Sequence, residues 1–283
     1  MIRFSFATLG RRSRSFTLML GGLLVGVHVL IAFTTLFWTP WDPTAMTGTR
    51  LEAPSLLHWA GTDRLGRDLF TLMMSGARVA LLTGGGAVMV GLAIGVTLGL
   101  LSAFASRTLD DVLAVVLDIL IAFPTLLLAM LIVASGDGAS LGSAIVALGI
   151  AISAIIARLT RILTKQVLRM DYITAARTSG SSWGSIIFRH ILPNIWPTLS
   201  VNIALQFGAA VIAEASLSYL GLGAPPPNTS WGRLLQEAQG SVYTAPFGVI
   251  APGIALVTLI VGINLLADGL RDRGEPDGGG HHG

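Results

Sequence analysis

Two carboxylates stand inside apolar runs. Asp118 lies within LDDVLAVVLDILIAFPTLLLAM, and Glu214 is the one acidic residue of Thr198–Gly223. A carboxylate in such a run is costly unless it faces protein or water, so it serves a pathway, a gate or a buried pair. Between the apolar runs Leu141–Ala157 and Thr198–Gly223 lies a polar stretch, Asp171 to Asn194, DYITAARTSGSSWGSIIFRHILPN. A tight connection between helices needs only a few residues, so this one has work beyond joining them. Other chemistry is missing. The only lysine, Lys165, follows Thr164, so there is no G-x-x-x-x-G-K-[ST] phosphate loop. HExxH is absent, and with no cysteine there is no thiol nucleophile, thiolate metal site or disulfide.

The elements that hold these groups are apolar spans. The chain has 283 residues, 12% of them charged, against about 25% in soluble domains. Mean hydropathy is +0.75. Several runs exceed the ~18 apolar residues that mark a spanning helix. The expected fold is therefore all-α and polytopic, with six transmembrane helices: Leu18–Trp38, Val79–Phe104, Val112–Ala134, Leu141–Ala157, Thr198–Gly223 and Phe247–Asp268. The basic N-terminus before an apolar run has the layout of a signal peptide. However, Leu18–Trp38 exceeds a typical h-region of ~7–15 residues and ends without a small-x-small site, so it is expected to stay as the first span.

Basic residues set the orientation. With the N-terminus inside, thirteen of the 18 fall in inner segments; Arg50, Arg64, Arg67, Arg78 and Arg233 fall outside. Both termini and the 171–194 stretch are then cytoplasmic. Residues 1–17 form the inner N-terminus, 18–38 the first span, 39–78 an extracytoplasmic segment, 79–273 a core of five spans and 274–283 a flexible Gly-rich tail with His281 and His282. Because the basic residues flank spans, the net charge of +3 does not indicate nucleic acid.

Local signals refine the elements. Asp63 is expected to cap a short helix with Leu65, Leu69 and Met73 on its apolar face. Ala87, Gly91, Gly95, Gly99 and Ala103 repeat small residues every fourth position, which lets another helix approach closely. Gly84-Gly85-Gly86 is expected to loosen the outer end of that span, and Pro124 to kink the third. In the 171–194 stretch, Tyr172, Ala175, Ala176 and Ser179 keep helical spacing, as do Trp183, Ile186, Ile187 and His190. Gly180, Ser181 and Ser182 separate the sets. Two short amphipathic helices joined at an angle, ended by Pro193, are expected.

This stretch resembles the cytoplasmic loop of inner-membrane permeases of ABC importers, with the pattern E-A-A-x-x-x-G, nine residues, then I-x-L-P. Ala175, Ala176, Gly180, Leu192 and Pro193 occupy matching positions. Thr174 stands in place of Glu, and His190 in place of Ile. The resemblance implies a coupling element that plugs into an ATPase subunit, with Tyr172, Thr174, Ala175, Ala176, Arg177, Gly180 and Trp183 at the docking face. An amphipathic helix lying flat on the membrane is the alternative from the pattern alone.

Three further segments carry the resemblance. G-T-D-x-x-G-R-D within His58–Phe70 is similar to the segment before the second span in permeases of dipeptide, oligopeptide and nickel importers. D-x-x-x-x-F-P matches at Asp118, Phe123 and Pro124. E-A-x-L-S-x-L-G-L-G, with P-P-x-x-x-W-G downstream, spans Glu214–Gly232 and resembles the second permease subunit of peptide importers.

The resemblance covers His58–Arg273 and implies the type I ABC importer permease fold in a bacterial inner membrane. It implies no cofactor in this chain, with ATP and magnesium on two separate ATPase subunits. A second permease subunit would complete the pathway, and an extracytoplasmic binding protein would deliver substrate. The implied cargo is short peptides, with nickel or another small solute as the alternative. Glu214 and Asp118 are the pathway or gate candidates. Glu214 has a buried hydrogen bond or a pair with a partner subunit as its alternative; for Asp118, pairing with a cytoplasmic-side Arg is favoured over substrate contact. A secondary transporter is the competing class, but it would want inverted repeats and broken helices near the midplane. A membrane enzyme lacks a convergent catalytic set.

Overall fold

A computed structural model of the chain describes residues 7–136 and 138–274. The helices are α1 (Ala7–Thr34), α2 (Leu69–Phe104), α3 (Arg107–Ala122), α4 (Thr125–Ser135), α5 (Leu141–Leu168), α6 (Asp171–Thr178), α7 (Trp183–Ile186), α8 (Leu192–Tyr219), α9 (Trp231–Ala238) and α10 (Phe247–Gly274). No strand occurs among the described residues, only two isolated bridges. Arg3, His281 and His282 lie outside the described residues. The chain is an all-α, multi-pass membrane protein. Five stretches are long and apolar enough to cross a bilayer: Phe16–Thr34, Leu69–Phe104, Leu141–Leu168, Trp183–Tyr219 and Phe247–Arg271.

The third expected span, Val112–Ala134, is bent far beyond the expected kink. The α3–α4 pair turns by 94°. Pro124 has no N–H to continue α3 and forces the residue before it out of the helical region; Phe123 sits at φ −75°, ψ 132°.

The packing of α2 on α5 is the most extensive in the fold. A Cβ on Gly95 would lie 2.7 Å from the Ser153 carbonyl oxygen, and one on Gly99 2.6 Å from that of Ala157. The stripe of small residues is thus the seam against α5. Gly84-Gly85-Gly86 does not loosen α2, which runs unbroken. Gly84 lies against Phe207 and Val211, and Gly86 against Ile145, so neighbours hold the helix where its own propensity is weak.

The alternation of the helices puts the connections at 105–106 and 169–182 at one end, here the α6 end. Residues 35–68, 138–140 and 220–246 gather at the other, the α9 end. There the expected short helix capped by Asp63 is replaced by a turn. Asp63 accepts from the N–H groups of Leu65 at 2.8 Å and Arg67 at 2.9 Å. Gly66 follows at φ +80°, a conformation no helix passes through. The cap belongs instead to Asp68, which accepts from the Thr71 N–H at 2.7 Å and starts α2.

Candidate functional site

At the α6 end, α5 runs to Leu168, and α6 begins after Met170. Asp171 in its first turn and Arg177 in its last both suit the helix dipole. The helix closes in a Schellman arrangement: Gly180 N–H donates to the Arg177 carbonyl at 3.0 Å and Ser181 N–H to that of Ala176 at 3.1 Å. Gly180 has φ +84°, and a Cβ there would meet nothing within 4 Å. Glycine is needed for the turn and not for space.

Ser182 caps α7 by accepting from the Ser185 N–H at 3.3 Å. Pro193 was expected to end this second helix, but the chain passes on. A π-helical turn at Ile187–Ile191 widens the rod, and Pro193 falls in the first turn of α8. The extra residue lets the chain absorb a ring that offers no N–H.

Beneath the corner, Val167, Ile173, Ile186, Ile191 and Ile195 form a buried cluster, with Ala176 half-buried against it. Of the two alanines assigned to the outer face, Ala175 is the exposed one. Tyr172, Thr174, Arg177, Gly180 and Trp183 are exposed as well. Trp183 is held edge-on to Phe104, centroids 5.0 Å apart, and the Arg177 guanidinium lies 4.0 Å from its ring centroid. Asn194 donates to the Tyr172 hydroxyl at 2.6 Å. Phe188, which the sequence did not single out, is 73% exposed beside them. The surface is apolar, aromatic and basic, and it is already folded.

The pathway or gate candidates are not brought together. Asp118 pairs with Arg158 of α5 at 3.1 Å, with both side chains about half exposed. Glu214 is 2% exposed. Ser218 donates to it at 2.7 Å, and Ser230, the N-cap of α9, also bonds its carboxylate. Next to this contact, a Cβ on Gly232 would lie 1.9 Å from the Ala215 carbonyl oxygen. Glu214 therefore ties α8 to the start of α9.

Sequence reasoning also missed an ion-pair cluster around Asp110 at the α6 end. Asp110 accepts from Arg161 Nε at 2.6 Å and Nη2 at 2.8 Å, from Ser102 at 2.9 Å, and from Lys165. It clasps α3 to α5 two turns before α6. The available signal was the run Arg158, Arg161, Lys165 along one helix face opposite Asp110 and Asp118.

The family model described as binding-protein-dependent transport system inner membrane component matches residues 95–277. A dipeptide transport system permease protein DppC of Alkalihalophilus pseudofirmus is 38% identical over 91% of this chain and 85% of its own length. A glutathione transport system permease protein GsiD of Pectobacterium atrosepticum is 39% identical over 90% and 85%. Among solved structures, an inward-facing form of the MetNI methionine ABC transporter superposes with a TM-score of 0.61 at 20% identity, covering 72% of this chain and 97% of that one. At that identity the likeness speaks for the fold alone.

Proposed function

The chain belongs to the family of binding-protein-dependent transport system inner membrane components, and from that premise we propose that it imports short peptides as one of two permease subunits driven by separate ATPases. The observation that carries this is the exposed, prefolded corner of α6 and α7 in a chain without a phosphate-binding loop. Such a surface suits a partner protein. Dipeptide and glutathione permeases among the relatives support a peptide cargo.

In this function the α6 end and both termini face the cytoplasm, in keeping with the bias of basic residues. ATP and magnesium sit on the ATPase dimer. Its closure moves the corner bearing Tyr172, Thr174, Ala175, Ala176, Arg177, Gly180 and Trp183, and the clasp at Asp110 carries that motion from α5 into α3. Asp118 and Arg158 add a second tie on the same side. Glu214 acts at the far end, holding α8 to α9 where a binding protein would deliver substrate. The chain itself makes and breaks no covalent bond.

The test is uptake of a labelled dipeptide into liposomes containing the purified chain with its co-purifying subunits and binding protein. ATP-dependent uptake is expected. Uptake driven by a proton gradient without any ATPase, or uptake of nickel in preference to dipeptide, would replace this function.

A further inference from the structure

At the α9 end, a cavity of about 270 Å³ lies among the end of α1, the outer part of α2, the start of α5 and the 227–229 loop. Its polar lining among the described residues is Thr35, Thr39, Ser75, Arg78, Asn228 and Thr229, and no described carboxylate lines it. Arg67 and Arg233 at the same end share Glu237, at 3.0 Å and 2.8 Å. Arg78 has no ion pair and no hydrogen bond within the described residues.

The hydroxyls divide by use. Thr35 donates to the Ala32 carbonyl at 2.7 Å and Thr39 to that of Trp41 at 2.8 Å, so their hydrogens are spent. Those of Ser75 and Thr229 bond nothing among the described residues, although Thr229 is only 6% exposed. Asn228 gives one amide hydrogen to the Pro225 carbonyl at 3.4 Å and keeps the other. The cavity thus offers a guanidinium fork, two free hydroxyl donors and an amide hydrogen. A cation has no countercharge here; an anion has everything it needs.

We propose that this cavity binds an anionic oxygen group, a carboxylate or a phosphate, with Arg78 as its fork and Ser75 and Thr229 as flanking donors. Two sources present that chemistry on the outer side. One is the free C-terminal carboxylate of a peptide, an arm that rests on the peptide-import function. The other is the phosphate of a lipid headgroup, since Arg78 lies about 13 Å along α2 from Leu69, near the membrane boundary. The site itself depends on neither.

The test uses the full chain purified in maltoside micelles, which carry no phosphate, with its co-purifying subunits and without the binding protein. The thermal unfolding midpoint is read against a dipeptide, its C-terminal amide and a short-chain phosphatidylglycerol. A rise with the free dipeptide but not the amide assigns the carboxylate; a rise with the phospholipid assigns the phosphate. Arg78→Gln is expected to weaken the response at least tenfold in ligand concentration, and Arg78→Lys to keep part of it. Should Arg78→Gln fail to fold, Thr229→Val carries the same expectation. No rise with either ligand in the unaltered chain, or an undiminished response in the substituted one, overturns the site. A failed uptake assay beside an intact anion response removes the transport function and leaves the site standing.

Discussion

Two regions of the molecule, the cap around Trp231 at the α9 end and the corner of α6 and α7 at the other, satisfy their side chains in opposite ways. At the α9 end, His58 and Asp68 are paired in the interior, Arg67 bridges Asp63 and Glu237, and the Trp231 indole donates to the Met73 carbonyl at 3.0 Å. At the α6 end, Trp183 and Tyr172 are held by Phe104 and Asn194, yet they and Phe188 remain exposed. A region that has consumed its own contacts fails by unfolding. A region that has kept them for another molecule fails by losing that molecule. The difference separates structural from functional damage before any assay of transport.

The most damaging change should be at the α9 end. Gly232→Leu puts a side chain where even a Cβ would meet the Ala215 carbonyl oxygen at 1.9 Å. The expected cost exceeds about 3 kcal/mol, at the upper end of overpacking effects. Recovery of folded protein in detergent should collapse; normal yield and melting temperature would mean that the two ends are equally plastic.

Asp68→Ala comes next. It removes the α2 cap, worth about 0.5–2 kcal/mol, and leaves the buried His58 ring unpaired at about 1–3 kcal/mol. A lower melting temperature is expected, with Asp68→Asn lying between it and the unaltered chain because an amide can still cap. An unchanged melting temperature in the alanine variant would remove Asp68 from the framework.

Trp183→Ala should do the reverse, leaving the chain's melting temperature intact while costing about 2 kcal/mol of partner affinity, as an aromatic anchor does. Substrate-stimulated ATP hydrolysis and ATPase co-purification would report it. A loss of folding with partner binding retained would invert the comparison. Glu237→Gln should matter least. Its pairs with Arg67 and Arg233 are partly exposed, and such pairs are worth about 0–1 kcal/mol. A shift in melting temperature as large as that of Asp68→Ala would show that the α9 end depends on this bridge.

Much of this was legible from residue spacing. Ala175, Ala176 and Gly180 located the corner because a positive-φ turn after one short helix leaves a local mark. The small residues from Ala87 to Ala103 announced a close seam, though not that α5 fills it. What stayed hidden depends on residues far apart in sequence. Asp110 meets Arg161 and Lys165 of a later helix, signalled only by the basic face of α5, and nothing near Glu214 announces Ser230. Asp63 was mistaken for a cap because both Asp63 and Asp68 precede an apolar run, and only the turn at Gly66 decides between them. Ala176 was placed outside because the helical face that meets the cluster under α6 is set by Ile173 and Ile191 together.

α2 has one more property. Its 36 residues extend about 54 Å, whereas a hydrocarbon core is about 30 Å thick. Its first turns stand in the α9-end cap, where Leu69, Leu72 and Ala77 pack with Trp231 and Leu234. Whatever part of that packing projects beyond the hydrocarbon core forms against water and draws on the hydrophobic effect. The glycine seam farther along the same helix forms against lipid, where apolar surface gains nothing by leaving its surroundings and close van der Waals fit does the holding. Urea weakens the first kind of packing through the aqueous phase and has no such hold on the second. One continuous helix therefore answers to two solvents, and a denaturant should melt its head while its body stays in register.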